Sequence, residues 1–256
     1  MSSPKTFLVT GGNRGIGKGF TEKLLLRPGV TVIATVRDPS KSANDLNNLP
    51  KAEGSKLIVA KFEADVDSSA ATLVSELQKE HGITSLDVVI ASAGISKDGT
   101  TVANTTPESL REHFNTNTIG PVNLFQAVRP LLKASKTGNP IFVPISTRIG
   151  SIASQEILSA RFPPKLSPYG ASKTALNWLI ARVHFEEPWL TTFVVHPGLV
   201  ATDMAAGVIP AGADLAAYGA ITVQTSVTGL LKLVDTATRP EIGGKFKDYD
   251  GSDIPW

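Results

Sequence analysis

Short apolar, β-branched runs alternate along this chain with longer segments whose apolar residues recur at helical spacing. The runs Thr6–Thr10, Val30–Val36, Lys56–Phe62, Leu86–Ala91, Pro140–Ser146, Leu190–His196 and, more weakly, Gly244–Tyr249 read as strands. They are nearly continuous in apolar residues rather than alternating, as in strands covered on both faces. The longer segments predict helices over Ile16–Arg27, Ser68–His81, Pro107–Phe114, Ile119–Ala134, Tyr169–Glu187 and Thr222–Val234. Strand, helix, strand at this cadence specifies right-handed βαβ units. The expected class is α/β: one doubly wound parallel sheet of about seven strands with helices on both faces. No repeat, low-complexity tract or linker divides the chain, so residues 1–256 are read as one domain. Two segments break the rhythm. Ile152–Pro168 is a long connection carrying Pro163, Pro164 and Pro168, and Met204–Ala220 is rich in Ala and Gly. Both follow strands, on the side where open α/β sheets bind ligands, and 203–220 is read as a substrate lid.

Composition narrows the chemistry. Apolar residues make up 41% of the chain, enough for a sizeable core, and the net charge of +2 argues against a nucleic-acid surface. There is no Cys, which excludes disulfides, Cys-ligated zinc and thiol catalysis together. His81, His113, His184 and His196 lack metal-ligand spacing, so no metal is expected. Met-Ser-Ser-Pro-Lys runs directly into Phe7-Leu8-Val9 without a signal peptide's apolar core. No stretch approaches the ~20 apolar residues of a membrane span, so a cytoplasmic location without membrane contact is expected.

The first strand runs into Thr10-Gly11-Gly12-Asn13-Arg14-Gly15-Ile16-Gly17 and then a helix. Gly11 permits the tight turn, Gly15 lets backbone approach a pyrophosphate, and Gly17 lets the helix pack close to the sheet. A glycine cluster at the first strand-to-helix turn of a βαβ unit reads as a Rossmann-type dinucleotide site. The second strand ends in Arg37, and Arg14 lies within the glycine turn. Two guanidiniums there suit the 2′-phosphate of NADP(H). Asp38 is the counter-signal, one residue beyond the position expected of an NAD-binding carboxylate.

Tyr169 and Lys173 stand four apart at the start of a predicted helix, on one face. An ordinary tyrosine, with a pKa of about 10, is a poor acid near neutrality. A nearby ammonium and an oxidised nicotinamide would each favour phenolate, so the pair is expected to lower that pKa and let the phenol exchange a proton with a carbonyl oxygen.

Thr10–Gly17, Asn117 and Tyr169–Lys173, followed by Pro197-Gly198-Leu199-Val200-Ala201-Thr202, together resemble the short-chain dehydrogenase/reductase family over nearly the whole chain. Within it, Ser146–Ile152, His184-Phe185-Glu186 and Asp250–Trp256 resemble fungal norsolorinic acid ketoreductases and sniffer-like carbonyl reductases. The resemblance implies Tyr169 as general acid/base and Lys173 as its modulator and ribose ligand. It implies that Asn117 holds a water linking Lys173 to solvent. Thr147 stands where the family has its substrate-orienting Ser, with Ser146 as the alternative. Gly11, Asn13, Arg14, Gly15, Ile16, Gly17 and Arg37 would hold the cofactor's phosphates. Asp65 and Val66 would meet the adenine. Ser92, Ala93, Gly94, Pro197, Gly198, Val200 and Thr202 would complete the cofactor site.

Two departures stand out. Ala91-Ser92-Ala93-Gly94 replaces the family's Asn-Asn-Ala-Gly, and the Thr147–Tyr169 interval is long. The excess could wall the pocket or obstruct subunit packing, and a homo-oligomer is left open. The expected function is an NADPH-dependent ketoreductase acting on a small apolar or aromatic carbonyl compound, with an aromatic polyketide suggested by the resemblance. Met204, Phe162, Val208, Ile209, Leu215 and Tyr218 make the expected pocket wall apolar. Dehydration or cyclisation on the same fold, and a catalytically silent NADP sensor, are the competing readings.

Overall fold

The computed structural model describes residues 5–97, 99–161, 165–206 and 214–256. Six strands form the central sheet: β1 (Thr6–Thr10), β2 (Thr31–Val36), β3 (Lys56–Lys61), β4 (Val88–Ala91), β5 (Ile141–Pro144) and β6 (Thr191–Thr192). Their order is β3-β2-β1-β4-β5-β6, and every pairing is parallel. Consecutive residues of a strand feed opposite faces. Leu8, Ile33, Val89 and Phe142 enter one buried cluster, while Phe7, Val9, Val32, Ile90 and Val143 enter the other. This two-sided burial is why the strands read as unbroken apolar runs.

The first cluster is closed by α3 (Ser69–Lys79), α5 (Gly120–Lys133) and α7 (Ser167–Glu186), through Leu73, Leu124, Val128, Leu176 and Ile180. The second is closed by α1 (Gly15–Leu25) and α9 (Val223–Thr236), through Phe20, Leu24, Val227 and Leu230. Between these lie α2 (Pro39–Asn47), α4 (Pro107–Phe114), α6 (Gln155–Arg161) and α8 (Asp203–Ala206), with α10 (Arg239–Ile242) after α9.

The expected single sheet of about seven strands needs correcting. The run Leu190–His196 is two strands: β6, then β7 (Val194–His196), which pairs with β8 (Phe246–Asp248) in a separate two-stranded parallel ladder. The register across the break is continuous, since Phe142 opposes Thr192 and Ile145 opposes Val195. Ser146 N–H donates to the Val195 carbonyl at 2.8 Å. The equivalent donor one pleat earlier is Pro144, and proline has no N–H to give. Four helices among the described residues, α2, α6, α8 and α10, lie where no helix was expected. Asp38 caps α2, accepting from Ser40 N–H at 3.1 Å, with Pro39 in the first turn. Helix α6 occupies part of the connection 152–168. Phe162, Val208 and Ile209 lie outside the described residues. No helix among the described residues is long and apolar enough to cross a membrane.

Candidate active site

Strand order reverses at β1, which is flanked by β2 on one side and β4 on the other. The turns after β1 and β4 therefore part and leave a crevice at the strands' carboxyl ends. Thr10 Oγ1 accepts a 2.9 Å hydrogen bond from Ala93 N–H and ties the two turns at its floor. Gly11 has φ +68°, and Gly15 has φ +53°. A side chain at Gly17 would start 2.2 Å from the Gly11 carbonyl oxygen, so the helix can sit this close only with glycine there. Arg14 is the N-cap of α1 but makes no side-chain cap bond, leaving the first-turn N–H groups available to anionic oxygens.

Asn13 Nδ2 donates to Ser42 Oγ at 3.0 Å, which draws α2 against the glycine turn. Asp38 is occupied. Its carboxylate accepts from Ser40 N–H and from Ser40 Oγ at 2.6 Å, and it pairs with Lys41 at 3.2 Å. The Ser40 hydroxyl and Lys41 hold it below the usual carboxylate range. Arg14 and Arg37 are both exposed. Asp65 and Val66 are exposed just beyond β3. On the far wall, Gly198 has φ +81°, the Pro197 carbonyl accepts from Ser226 Oγ at 2.6 Å, and Val200 is buried. Thr202 Cγ2 lies 3.6 Å from where a Gly15 side chain would begin, so Thr202 reaches across to the glycine turn. The glycine turn, a capped Asp38, two exposed guanidiniums and this wall fit a dinucleotide carrying a 2′-phosphate.

The reactive groups gather beside the crevice. Tyr169 is partly exposed, and its phenol shares a hydrogen bond with the Thr147 side chain. Burial pushes the phenol up to about 12, with the Thr147 bond opposing. This is opposite to the lowering expected from a neighbouring ammonium. Lys173 Nζ stands 6.0 Å from the Tyr169 ring centre and donates to the Ile145 carbonyl at 2.8 Å, and burial brings its own pKa down to about 8. Desolvation of the phenol outweighs the distant charge.

Asn117 is fully buried in a π-helical turn, Asn115–Ile119, that joins α4 to α5 without a break. Such turns gather at functional sites. Its Oδ1 accepts from Ile95 N–H at 2.8 Å, and its Nδ2 donates to Ile95 O and to Ser172 Oγ. Asn117 Oδ1 and Lys173 Nζ lie 3.1 and 3.6 Å from where a Gly94 side chain would begin, so all three meet at one point. Ser146 turns away from this group. Its Oγ donates to Asn177 Oδ1 at 2.5 Å within the interior.

Three participants were not anticipated: Ser172, Asn177 and the Ile145 carbonyl. Ser172 lies between Tyr169 and Lys173 in sequence, which was the available signal. The other two act through tertiary contact alone. His113 is fully buried, with Nδ1 on the Ser109 carbonyl and Nε2 accepting from Lys97 N–H. His196 is pushed down to about 3, first by burial and then by Arg148. No cluster of three or more potential metal ligands occurs among the described residues.

A family model described as short chain dehydrogenase matches residues 5–211. The chain belongs to the short-chain dehydrogenase/reductase family and is an oxidoreductase of that kind. Norsolorinic acid ketoreductase nor1 of Dothistroma septosporum is 41% identical over 258 aligned positions, covering 100% of this chain and 94% of the relative. An NADPH-bound carbonyl reductase from chicken fatty liver superposes with a TM-score of 0.82 at 30% identity, covering 100% of both chains. The carbonyl reductase Sniffer of Drosophila melanogaster has the same fold, with a TM-score of 0.82 at 23% identity over 99% of this chain and 100% of its own.

Proposed function

We propose that this chain is an NADPH-dependent ketoreductase, and that its substrate is an apolar or aromatic ketone. The observation that carries the reading is the Thr147–Tyr169 hydroxyl pair beside buried Lys173, at the mouth of a crevice built for a dinucleotide. Arg14 and Arg37 would hold the 2′-phosphate, with Asp38 withdrawn into its helix cap. Bound NADPH supplies the hydride. Thr147 donates a hydrogen bond to the carbonyl oxygen and orients it against Tyr169. The raised pKa keeps Tyr169 protonated until that oxygen arrives, and its Oη proton then passes to the oxygen. Lys173, largely ammonium at neutral pH, favours the phenolate left behind. Asn117 would carry the proton path from Lys173 onward. Ser92, Ala93 and Gly94 would line the cofactor from β4, with Pro197, Gly198, Val200 and Thr202 opposite. The lid reading of 203–220 belongs to the same proposal. Similarity to the Dothistroma ketoreductase favours an aromatic polyketide as substrate.

The test is consumption of NADPH, against NADH, over a panel of aromatic and aliphatic ketones. Tyr169→Phe keeps most of the packing and removes the proton. Turnover is expected to fall by ~10²–10⁴ while NADPH binding, read by fluorescence, persists. Near-normal turnover would reject the mechanism, and NADPH binding without oxidation of any ketone would favour a silent sensor.

A further inference from the structure

The turn that follows β5 carries Thr147 and is gripped from outside the catalytic group. Thr147 is extended, with φ −155° and ψ 148°, and caps the short turn Arg148–Gly150. Its own bond to Ile149 N–H is long, at 3.3 Å, so the turn needs other anchors. Helix α7 supplies one, through Thr174 Oγ1 and Asn177 Nδ2 on the Gly150 carbonyl. The others come from the last residue of β8 and the segment after it. Arg148 Nη2 donates to Asp248 Oδ2 at 2.6 Å across 100 positions of sequence. Ser151 Oγ donates to Pro255 O at 2.6 Å, and Ala153 N–H to Trp256 O at 2.9 Å. That segment is itself fastened. Ile254 is buried and bonds back to Phe246, the Trp256 ring stacks at 5.6 Å on Phe246, and Asp253 pairs with Lys247.

Arg148 and Asp248 meet over the end of β7, where His196 stands in register with Asp248. Arg148 Nε and His196 Nδ1 are both buried without a partner among the described residues. The anchor of the guanidinium is thus the Asp248 carboxylate, which is itself nearly buried. We propose that Arg148 is a positioning residue, its ion pair with Asp248 clamping the turn so that the Thr147 hydroxyl stays on the Tyr169 phenol. This rests on the reading of Thr147 as the group that orients the substrate oxygen. The clamp also gives a purpose to Arg148 and to the Asp250–Trp256 ending, which the dinucleotide and tyrosine motifs leave unexplained.

The experiment compares R148M, R148K, D248N, T147V and the double variant T147V/R148M. R148M and D248N are each expected to lose roughly 10–100-fold in kcat, as small misplacements do, with a raised KM for the ketone and an unchanged Kd for NADPH. R148K, which keeps the charge, recovers part of the loss. T147V alone loses most activity, and adding R148M to it costs nothing further, because the clamp acts through Thr147. Additive losses in the double variant would overturn the proposal. So would wild-type kcat in R148M and D248N, or loss of NADPH binding in both, which would mean that the pair holds the fold and not the turn. Full activity in T147V would overturn the role of Thr147 itself. That outcome is distinct from failure of the clamp, in which T147V is inactive and R148M is not.

Discussion

Ser146 and Thr147 are adjacent hydroxyls with separate duties. Ser146 faces α7 and donates a hydrogen bond to Asn177 Oδ1, while Thr147 reaches Tyr169. Successive residues at a strand end point to opposite sides, so the two cannot share a role. Ser146→Ala should therefore leave turnover close to wild type but cost stability. It strands the buried Asn177 Oδ1, a loss of ~1–3 kcal/mol, which corresponds to a drop in Tm of roughly 2–10 °C for a chain of this size. Kinetics and a thermal melt on the same sample check both halves. A variant with normal Tm and no turnover would exchange the two assignments. The alternation that separates these residues was readable along the chain. That Asn177 is the partner of Ser146 was not, because it lies 31 positions away.

At the scale of elements, local chemistry set the glycine turn and tertiary contact set its neighbours. Gly17→Ala places a methyl group against the Gly11 carbonyl at 2.2 Å, far inside contact distance. Either α1 must move away from the sheet or the turn must open, and both spoil the N–H cradle. NADPH affinity is expected to fall more than tenfold, together with Tm, measured by fluorescence titration and calorimetry. Wild-type affinity in this variant would show that the close approach is not what binds the phosphates. The π-helical turn at Asn115–Ile119 and the split between β6 and β7 belong to the same scale. The split has a local cause, the missing N–H of Pro144, but its effect depends on which strand lies beside that residue. Helix α2 carries its own start signal in Asp38-Pro39, a residue pair that also competes for a reading as cofactor contact.

The molecule as a whole bears a cost at its active centre. Lys173 is buried on α7 and its pKa falls from 10.5 to about 8. Between those values the unfolded chain binds the proton more readily than the native one, so stability rises with pH through that window. Below pH 8 the full penalty applies, on the order of a few kcal/mol. Lys173→Met removes the charge and keeps the length. Its Tm relative to wild type is expected to be highest at pH 7 and to decline as pH rises from 8 to 10.5, while turnover is lost. A Tm difference independent of pH would mean that Lys173 is not desolvated as described. The penalty is borne by two cores, one on each face of the sheet, and the ammonium is retained through the Ile145 carbonyl.

Periodicity and turn chemistry act over a few residues, and what depends on them was determined by the sequence alone. The parallel α/β architecture follows from apolar runs buried on both faces. The glycine turn follows from backbone room that only glycine leaves, and the Tyr169–Lys173 pair from one turn of helix. Tertiary structure decided what depends on which distant groups meet. Asp38 became a helix cap, His196 a neutral neighbour of Arg148, and the strand run 190–196 two strands. The ionisation of the centre belongs here too. The sequence predicts a lysine that lowers the tyrosine's pKa. The folded protein buries the lysine, raises the tyrosine by desolvation and sends that ammonium to the Ile145 carbonyl. Desolvation is a property of everything packed around a group, and no spacing along the chain encodes it.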